Sequence, residues 1–306
     1  MKRSSAVAAR RAGAVVAAAG CLTACTGGAP DQPPSDGRPA VVASTDVWGS
    51  VARAVAGDDA RVNSVASATT DPHSFEPSPA AAAAITDADL MVYNGGGYDA
   101  WAQAVLDNHP SVASVDAYSL LDAAAVGESR PANEHVFYEL NTAKAVAERI
   151  AQRLSDADPP HADGYRSRAA EFGRTADTIL GRQQILRSEF PGAAVVATEP
   201  VAHYLLLAAG LTDRTPRGFT AAIEQDTDPA PVDIAAMLDL ISKRGVAVLL
   251  FNEQTATGAT RQLRDAARSA GLPVVAVTET LPPGTDYLAW QAGTVDRLTE
   301  ALRLGR

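Results

Sequence analysis

Two histidines and two acids stand where this sequence is most able to do chemistry. His73 lies in Asp71-Pro72-His73-Ser74-Phe75-Glu76-Pro77, a segment bracketed by prolines, and His135 lies in Asn133-Glu134-His135-Val136-Phe137, ahead of a helical pattern. Glu199 follows an apolar run at 193–197, and Asp286 follows Pro282-Pro283-Gly284-Thr285 at the start of the last helical pattern. Imidazoles and carboxylates either ligate a divalent cation or pass protons as general acid and base. Neither role is forced by type alone. A lone loop histidine reads first as polar surface, and an Asp that opens a helix reads first as its N-cap. His109, before Pro110, and His161, after Pro159-Pro160, have the contexts of surface residues at helix ends. His203 sits four residues after Glu199, one turn along the same helical pattern. The chain carries neither an HExxH zinc-hydrolase pattern nor a GxSxG nucleophile elbow.

The elements that must position these groups alternate. Short apolar runs at 40–43, 89–93 and 112–115 read as buried strands, with helical patterns at 47–56 and 98–106 between them. The same rhythm returns late in the chain, with strands at 193–197, 246–251 and 273–277 and helices at 201–209, 232–244, 257–270 and 287–304. Strand, helix, strand in this order predicts α/β architecture with parallel sheets, whose ligand sites form in loops at strand ends. Between the halves the pattern changes. A helix is predicted over 141–154, and 162–190 has helical apolar spacing at Ala169, Phe172, Ala176, Ile179 and Leu180 with no proline. One unbroken helix there would run on the order of 40 Å and cross both halves; two helices kinked at Gly173 are the alternative.

The N-terminus has to be set aside first. Lys2, Arg3, Arg10 and Arg11 precede an apolar stretch that ends in Leu22-Thr23-Ala24-Cys25, the form of a bacterial lipobox. Residues 1–24 therefore read as an export signal, too short to cross a bilayer core of about 30 Å, and Cys25 as the lipidated first residue. Arg10-Arg11 is a weak hint of twin-arginine export. Residues 25–38, rich in Gly, Pro, Asp and Ser, read as a flexible tether. Cys21 leaves with the signal, so no disulfide framework is expected. The full chain carries 26 basic and 36 acidic residues; cleavage removes four basic and no acidic ones, leaving 22 against 36, a net charge of −14. Such a surface argues against nucleic acid, whose affinity comes from Lys and Arg on phosphates.

A family resemblance joins these fragments. Asp71-Pro72-His73 with Phe75-Glu76-Pro77-Ser78-Pro79 resembles the first metal-ligand motif of the zinc/manganese solute-binding lipoproteins of ABC transporters. Asn94-Gly95 with Trp101 is similar to the next landmark, and His135-Val136-Phe137 resembles the second ligand motif, with Val136 interposed before the aromatic. Glu199 with Tyr204 and Gly210-Leu211, and Asp286-Tyr287, are similar to the third and fourth. The resemblance runs from about residue 39 to 306. It implies an N-terminal lobe (39–160), a linking helix (161–190) and a C-terminal lobe (191–306), two α/β lobes joined by a single long helix that should restrict their closure. It implies a metal in the cleft held by His73 and His135 from one lobe and Glu199 and Asp286 from the other. His203 is a supporting or alternative ligand, and Glu253 a supporting acid.

The same resemblance implies a non-enzymatic protein, a monomer held by lipid to the outer face of the cytoplasmic membrane. Its cargo is a divalent metal delivered to a permease with a cytoplasmic ATPase. Zinc-favouring members often carry a third His where Glu199 stands and a His-rich loop before the second ligand, whereas 117–134 here has no His. Hard carboxylates favour manganese, although zinc outranks it thermodynamically at almost any such site. A carrier of chelated metal, siderophore or corrinoid, and a metal-dependent surface hydrolase are the competing functions; some members of that family are also described by adhesion.

Overall fold

The computed structural model of the chain describes residues 37–66, 75–129, 132–225 and 227–305. The signal (1–24), Cys25, most of the tether and His73 lie outside the described residues. Arg38–Arg306 forms one compact unit.

The N-terminal half runs β1 (Ala40–Thr45), α1 (Asp46–Ala56), β2 (Arg61–Ala66), α2 (Pro79–Thr86), β3 (Leu90–Tyr93), α3 (Ala100–Asn108), β4 (Ser114–Asp116) and α4 (Leu140–Ala157). Its sheet is parallel, in the order β2-β1-β3-β4. After α5 (Ala162–Glu189) come β5 (Ala194–Ala197), α6 (His203–Ala208), β6 (Thr212–Asp213), α7 (Arg217–Glu224), α8 (Pro231–Ser242), β7 (Val248–Asn252), α9 (Gly258–Ser269), β8 (Val274–Val277) and α10 (Tyr287–Leu304). The second sheet, β6-β5-β7-β8, is parallel in the same order. Central strands β3 and β7 are buried throughout, as expected of strands covered on both faces. The two strands given no range in the sequence reading, β2 and β6, lie at sheet edges, where exposed residues leave no apolar run. Among the described residues no helix is long and apolar enough to cross a membrane.

The linking segment is a single helix of 28 residues, about 42 Å long. Tyr165, Ala169, Phe172, Ala176, Ile179, Gln183 and Leu186 form its buried stripe, at alternating intervals of four and three that keep one face inward. The helix does not break at Gly173. Its N-terminal end is tied to α1 by Arg168, whose Nε and Nη2 donate to the Val55 and Ala56 carbonyls at 2.7 and 2.9 Å and whose Nη2 pairs with Asp59 at 2.7 Å. A cation on the last carbonyls of a helix satisfies groups that would otherwise lack a partner.

Helix α10 closes the structure by packing back across both halves. The Tyr287 hydroxyl and Gln291 Nε2 both donate to the Phe137 carbonyl, at 2.7 and 3.0 Å, and Tyr287 N donates to Ser50 Oγ at 2.9 Å. Trp290 packs against Tyr138 with ring centroids 4.9 Å apart. The Tyr138 hydroxyl in turn donates to the Thr278 carbonyl at 2.9 Å.

Candidate metal centre

The order of each sheet reverses once, between β1 and β3 and between β5 and β7, and crevices outside the carboxyl ends of strands at such points bind ligands. The polar groups of interest sit there. Asn94 follows β3, Glu199 lies two residues past β5, Asn252 ends β7, and Glu279 lies two residues past β8. His135 comes from the loop that enters α4.

Asn94 sets that loop. It is fully buried, its Oδ1 accepts from Trp48 Nε1 at 3.1 Å, and its Nδ2 donates to the Glu134 carbonyl at 2.9 Å. His135 is 4% exposed. Its backbone N donates to Asn133 Oδ1 at 2.9 Å, and its Nδ1 lies 3.0 Å from the same oxygen. An atom that accepts from a backbone N–H is the amide oxygen, so Nδ1 must carry the ring proton. The lone pair is thereby left on Nε2, the atom a metal would use. Nε2 is 3.7 Å from Glu279 Oε2. Two donors sharing one ion at bond lengths of about 2.0–2.2 Å and a tetrahedral angle stand about 3.4 Å apart. The pair is thus within a few tenths of an ångström of a common coordination sphere.

Glu279 is 2% exposed and comes from the other half of the chain. Its Oε1 accepts from Asn252 Nδ2 at 2.9 Å and its Oε2 from the Tyr98 hydroxyl at 3.2 Å. The Asn252 amide also donates to Glu199 Oε2 at 2.6 Å, and the Thr255 hydroxyl donates to Glu199 Oε1. One amide nitrogen thus ties two carboxylates together. Burial pushes the Glu199 carboxyl up; the Thr255 and Asn252 hydrogen bonds and nearby His135 oppose this, while the neighbouring Glu279 charge adds to it. A cation would relieve that crowding. Above lies a cavity of about 180 Å³ lined in part by Glu134, His135, Glu199, Glu224 and Asp228. Burial also raises the Glu224 carboxyl, with Glu134 adding to the shift and His135 and His203 opposing it. Among the described residues no three His, Cys, Asp or Glu side chains stand at metal-holding spacing; the two Glu199 oxygens accept from Asn252 and Thr255.

Of the four residues expected as ligands, the structure brings His135 and Glu199 to this centre. Asp286 is not brought there. It is exposed, its Oδ1 caps α10 by accepting from Ala289 N at 2.8 Å, and it lines a separate groove with Ser50, Phe172 and Tyr287. The acid that meets His135 is Glu279, seven residues earlier. Its signal in the sequence was a repeat: Val196-Ala197-Thr198-Glu199 and Ala276-Val277-Thr278-Glu279 each carry Thr-Glu straight after a strand. Glu253 is exposed; the residue that supports the acids is its neighbour Asn252. His203 turns from Glu199 to Glu128, 2.9 Å away. His73 lies outside the described residues, though Phe75, two positions on, packs edge-to-face on Trp101 at 5.0 Å.

The chain matches the family described as ZnuA, the periplasmic component A of a zinc-uptake complex, over residues 41–301. The manganese ABC transporter substrate-binding lipoprotein PsaA of Streptococcus pneumoniae is 23% identical over 92% of this chain and 94% of its own length. Among solved structures, the periplasmic zinc-binding protein TroA of Treponema pallidum superposes with a TM-score of 0.74 at 16% identity, covering 87% of this chain and 99% of that one. Lmb of Streptococcus agalactiae, described as a bifunctional adhesin and metal transporter, gives 0.73 at 25% identity over 86% and 99%.

Proposed function

Because the chain belongs to the ZnuA family of zinc-uptake components, we propose that it captures a bare divalent transition-metal ion, manganese or zinc, outside the cytoplasm and presents it to an ABC importer. The observation that carries this reading is the approach of His135 Nε2 and Glu279 Oε2 from opposite halves of the chain to 3.7 Å, with Glu199 tethered beside them through Asn252. The proposed ligands are His135, Glu199, Glu279 and, on the strength of its motif, His73. Two carboxylates offset the charge of a divalent ion and permit its burial. Size supports a bare ion over a chelate: about 180 Å³ lies over the site, short of the roughly 300–1,000 Å³ of organic-ligand pockets. Ligands drawn from both halves suit holding an ion, and no catalytic role is assigned. The partners in this reading are a permease with its ATPase, and the membrane through lipid on Cys25.

Binding requires neutral imidazole and ionised carboxylate, so it releases protons and weakens as pH falls. Glu199, with its carboxyl raised by burial, contributes to that release. Native mass spectrometry with elemental analysis of protein purified without added metal tests the reading. One manganese or zinc per chain is expected; an organic chelate, or a chain that takes up neither ion on titration, would overturn it.

A further inference from the structure

Resting on that reading, His135 must offer the ion the nitrogen that lacks a proton. A neutral imidazole has one such nitrogen, and the neighbour of the other ring nitrogen decides which it is. The neighbour here is Asn133. Its Oδ1 accepts from His135 N at 2.9 Å and lies 3.0 Å from His135 Nδ1. Its Nδ2 donates to the Pro200 carbonyl at 3.4 Å. Turning the amide over would set its nitrogen against the His135 N–H and its oxygen against the Pro200 carbonyl, so a backbone group at each end fixes its orientation. Pro200 directly follows Glu199, in the other half of the chain. That half also grips the Asn133 backbone, since the Tyr204 hydroxyl donates to the Asn133 carbonyl at 2.6 Å. The segment that carries one proposed ligand thus holds, at two points, the residue that orients another.

We propose that Asn133 is a positioning residue for metal capture, keeping the His135 ring proton on Nδ1 and so leaving Nε2 open to the ion. The proton has a second place to go. Nε2 faces Glu279 Oε2 at 3.7 Å, a separation that a small shift would bring to hydrogen-bond length. A proton on Nε2 would be donated to that carboxylate, and the two groups would occupy each other instead of a cation. Asn133 and Glu279 therefore compete for one proton from opposite sides of the ring. The amide prevails because its oxygen already lies at hydrogen-bond distance and is braced by the His135 backbone and by Pro200. A ligating histidine whose other N–H is held in this way is both oriented and more basic.

The test uses the purified full-length chain with Asn133→Leu and Asn133→Asp. Long-range proton–nitrogen correlation spectra of metal-free protein at about pH 8, above the ordinary histidine pKa of about 6.5, show which ring nitrogen carries the proton. The His135 signals are those missing from a His135→Gln variant. Zinc affinity is measured by competition titration. The unsubstituted chain is expected to hold the proton on Nδ1. Asn133→Leu should move it to Nε2 and weaken zinc binding roughly tenfold or more. Asn133→Asp presents an oxygen whichever way it turns, so it should keep the proton on Nδ1 and bind zinc at least as tightly as the unsubstituted chain. A proton on Nε2 in the unsubstituted chain overturns the inference. So does unaltered affinity in Asn133→Leu, or weaker binding there with the proton still on Nδ1. A tenfold loss in Asn133→Asp also overturns it, by tracing the effect to the Pro200 contact. Where Asn133→Leu does not fold, the unsubstituted spectrum and Asn133→Asp decide. An unsubstituted chain that binds neither zinc nor manganese defeats the capture reading itself; one that binds while Asn133→Leu changes nothing defeats only the role of Asn133.

Discussion

At the scale of single residues, Glu279 and Asp286 divide two tasks that look alike in the sequence. Glu279 is buried against His135, Asn252 and Tyr98; Asp286 is exposed and satisfies the first turn of α10. Their alanine variants should therefore fail differently. Glu279→Ala is expected to lose more than tenfold in metal affinity, since even residues that merely support ligands are worth about that much. Asp286→Ala should bind metal normally and lose about 1 kcal/mol of stability with its cap. Isothermal titration and chemical denaturation separate the two. Asp46 presents a half-buried acid. Burial raises its carboxyl from 3.8 to about 6, while its Oδ2 accepts from Leu281 N at 3.2 Å. Between those values the unfolded carboxyl ionises while the folded one resists, so the folded state holds more protons and stability falls as pH rises. Asp46→Asn retains an acceptor for Leu281 N and removes that slope. Thermal melts of metal-free protein from pH 4 to 7 should show a flatter profile in the variant.

At the scale of elements, α5 takes its length from a stripe that never leaves register. Gly173 needs no special conformation there, and a Cβ added to it would meet only Lys144 Cε at 3.8 Å. Gly173→Ala should accordingly stabilise the protein by about 0.5–1 kcal/mol, through the entropy of the unfolded chain. A loss of stability in urea denaturation would mean that the helix bends at that position. Strand ends, by contrast, do need their glycines. Gly95 has φ +74°, and a Cβ there would come within 2.2 Å of Asp116 Oδ1. This turn carries the chain from Asn94 to Tyr98, and both its ends touch the centre.

At the scale of the whole molecule, the two halves are joined by more than one helix. Tyr98, Tyr138, Tyr287, Gln291 and Tyr204 all donate across the junction, so closure around an ion has little slack to take up. The mouth of the cavity is acidic, with Glu134, Glu224 and Asp228 on a chain of net charge −10. Fields of that sign raise the arrival rate of cations more than their equilibrium affinity. A Glu224→Gln, Asp228→Asn double variant should slow manganese association roughly threefold or more at ~10 mM salt, with the difference vanishing near ~1 M, where charges are screened within about 3 Å. Stopped-flow binding at the two salt concentrations checks this; equal slowing at both would assign the two acids a direct contact with the ion.

Local patterns were enough to determine the α/β class, the buried central strands and the helical character of the linking segment, whereas its continuity through Gly173 is decided only by the structure, which shows one helix. Each of these is written in neighbours along the chain, as apolar runs or helical spacing. The edge strands β2 and β6 escaped because they bury too little to show a run. That Glu279 lies beside His135 while Asp286 caps α10, and what Asn252 and Tyr98 touch, appear only in the tertiary structure; the Thr-Glu repeat marks Glu279 as a candidate without giving the direction of its side chain. These contacts depend on which carboxylate points inward once two sheets face each other across residues 181 positions apart, and no spacing along a chain records the direction of a side chain after folding.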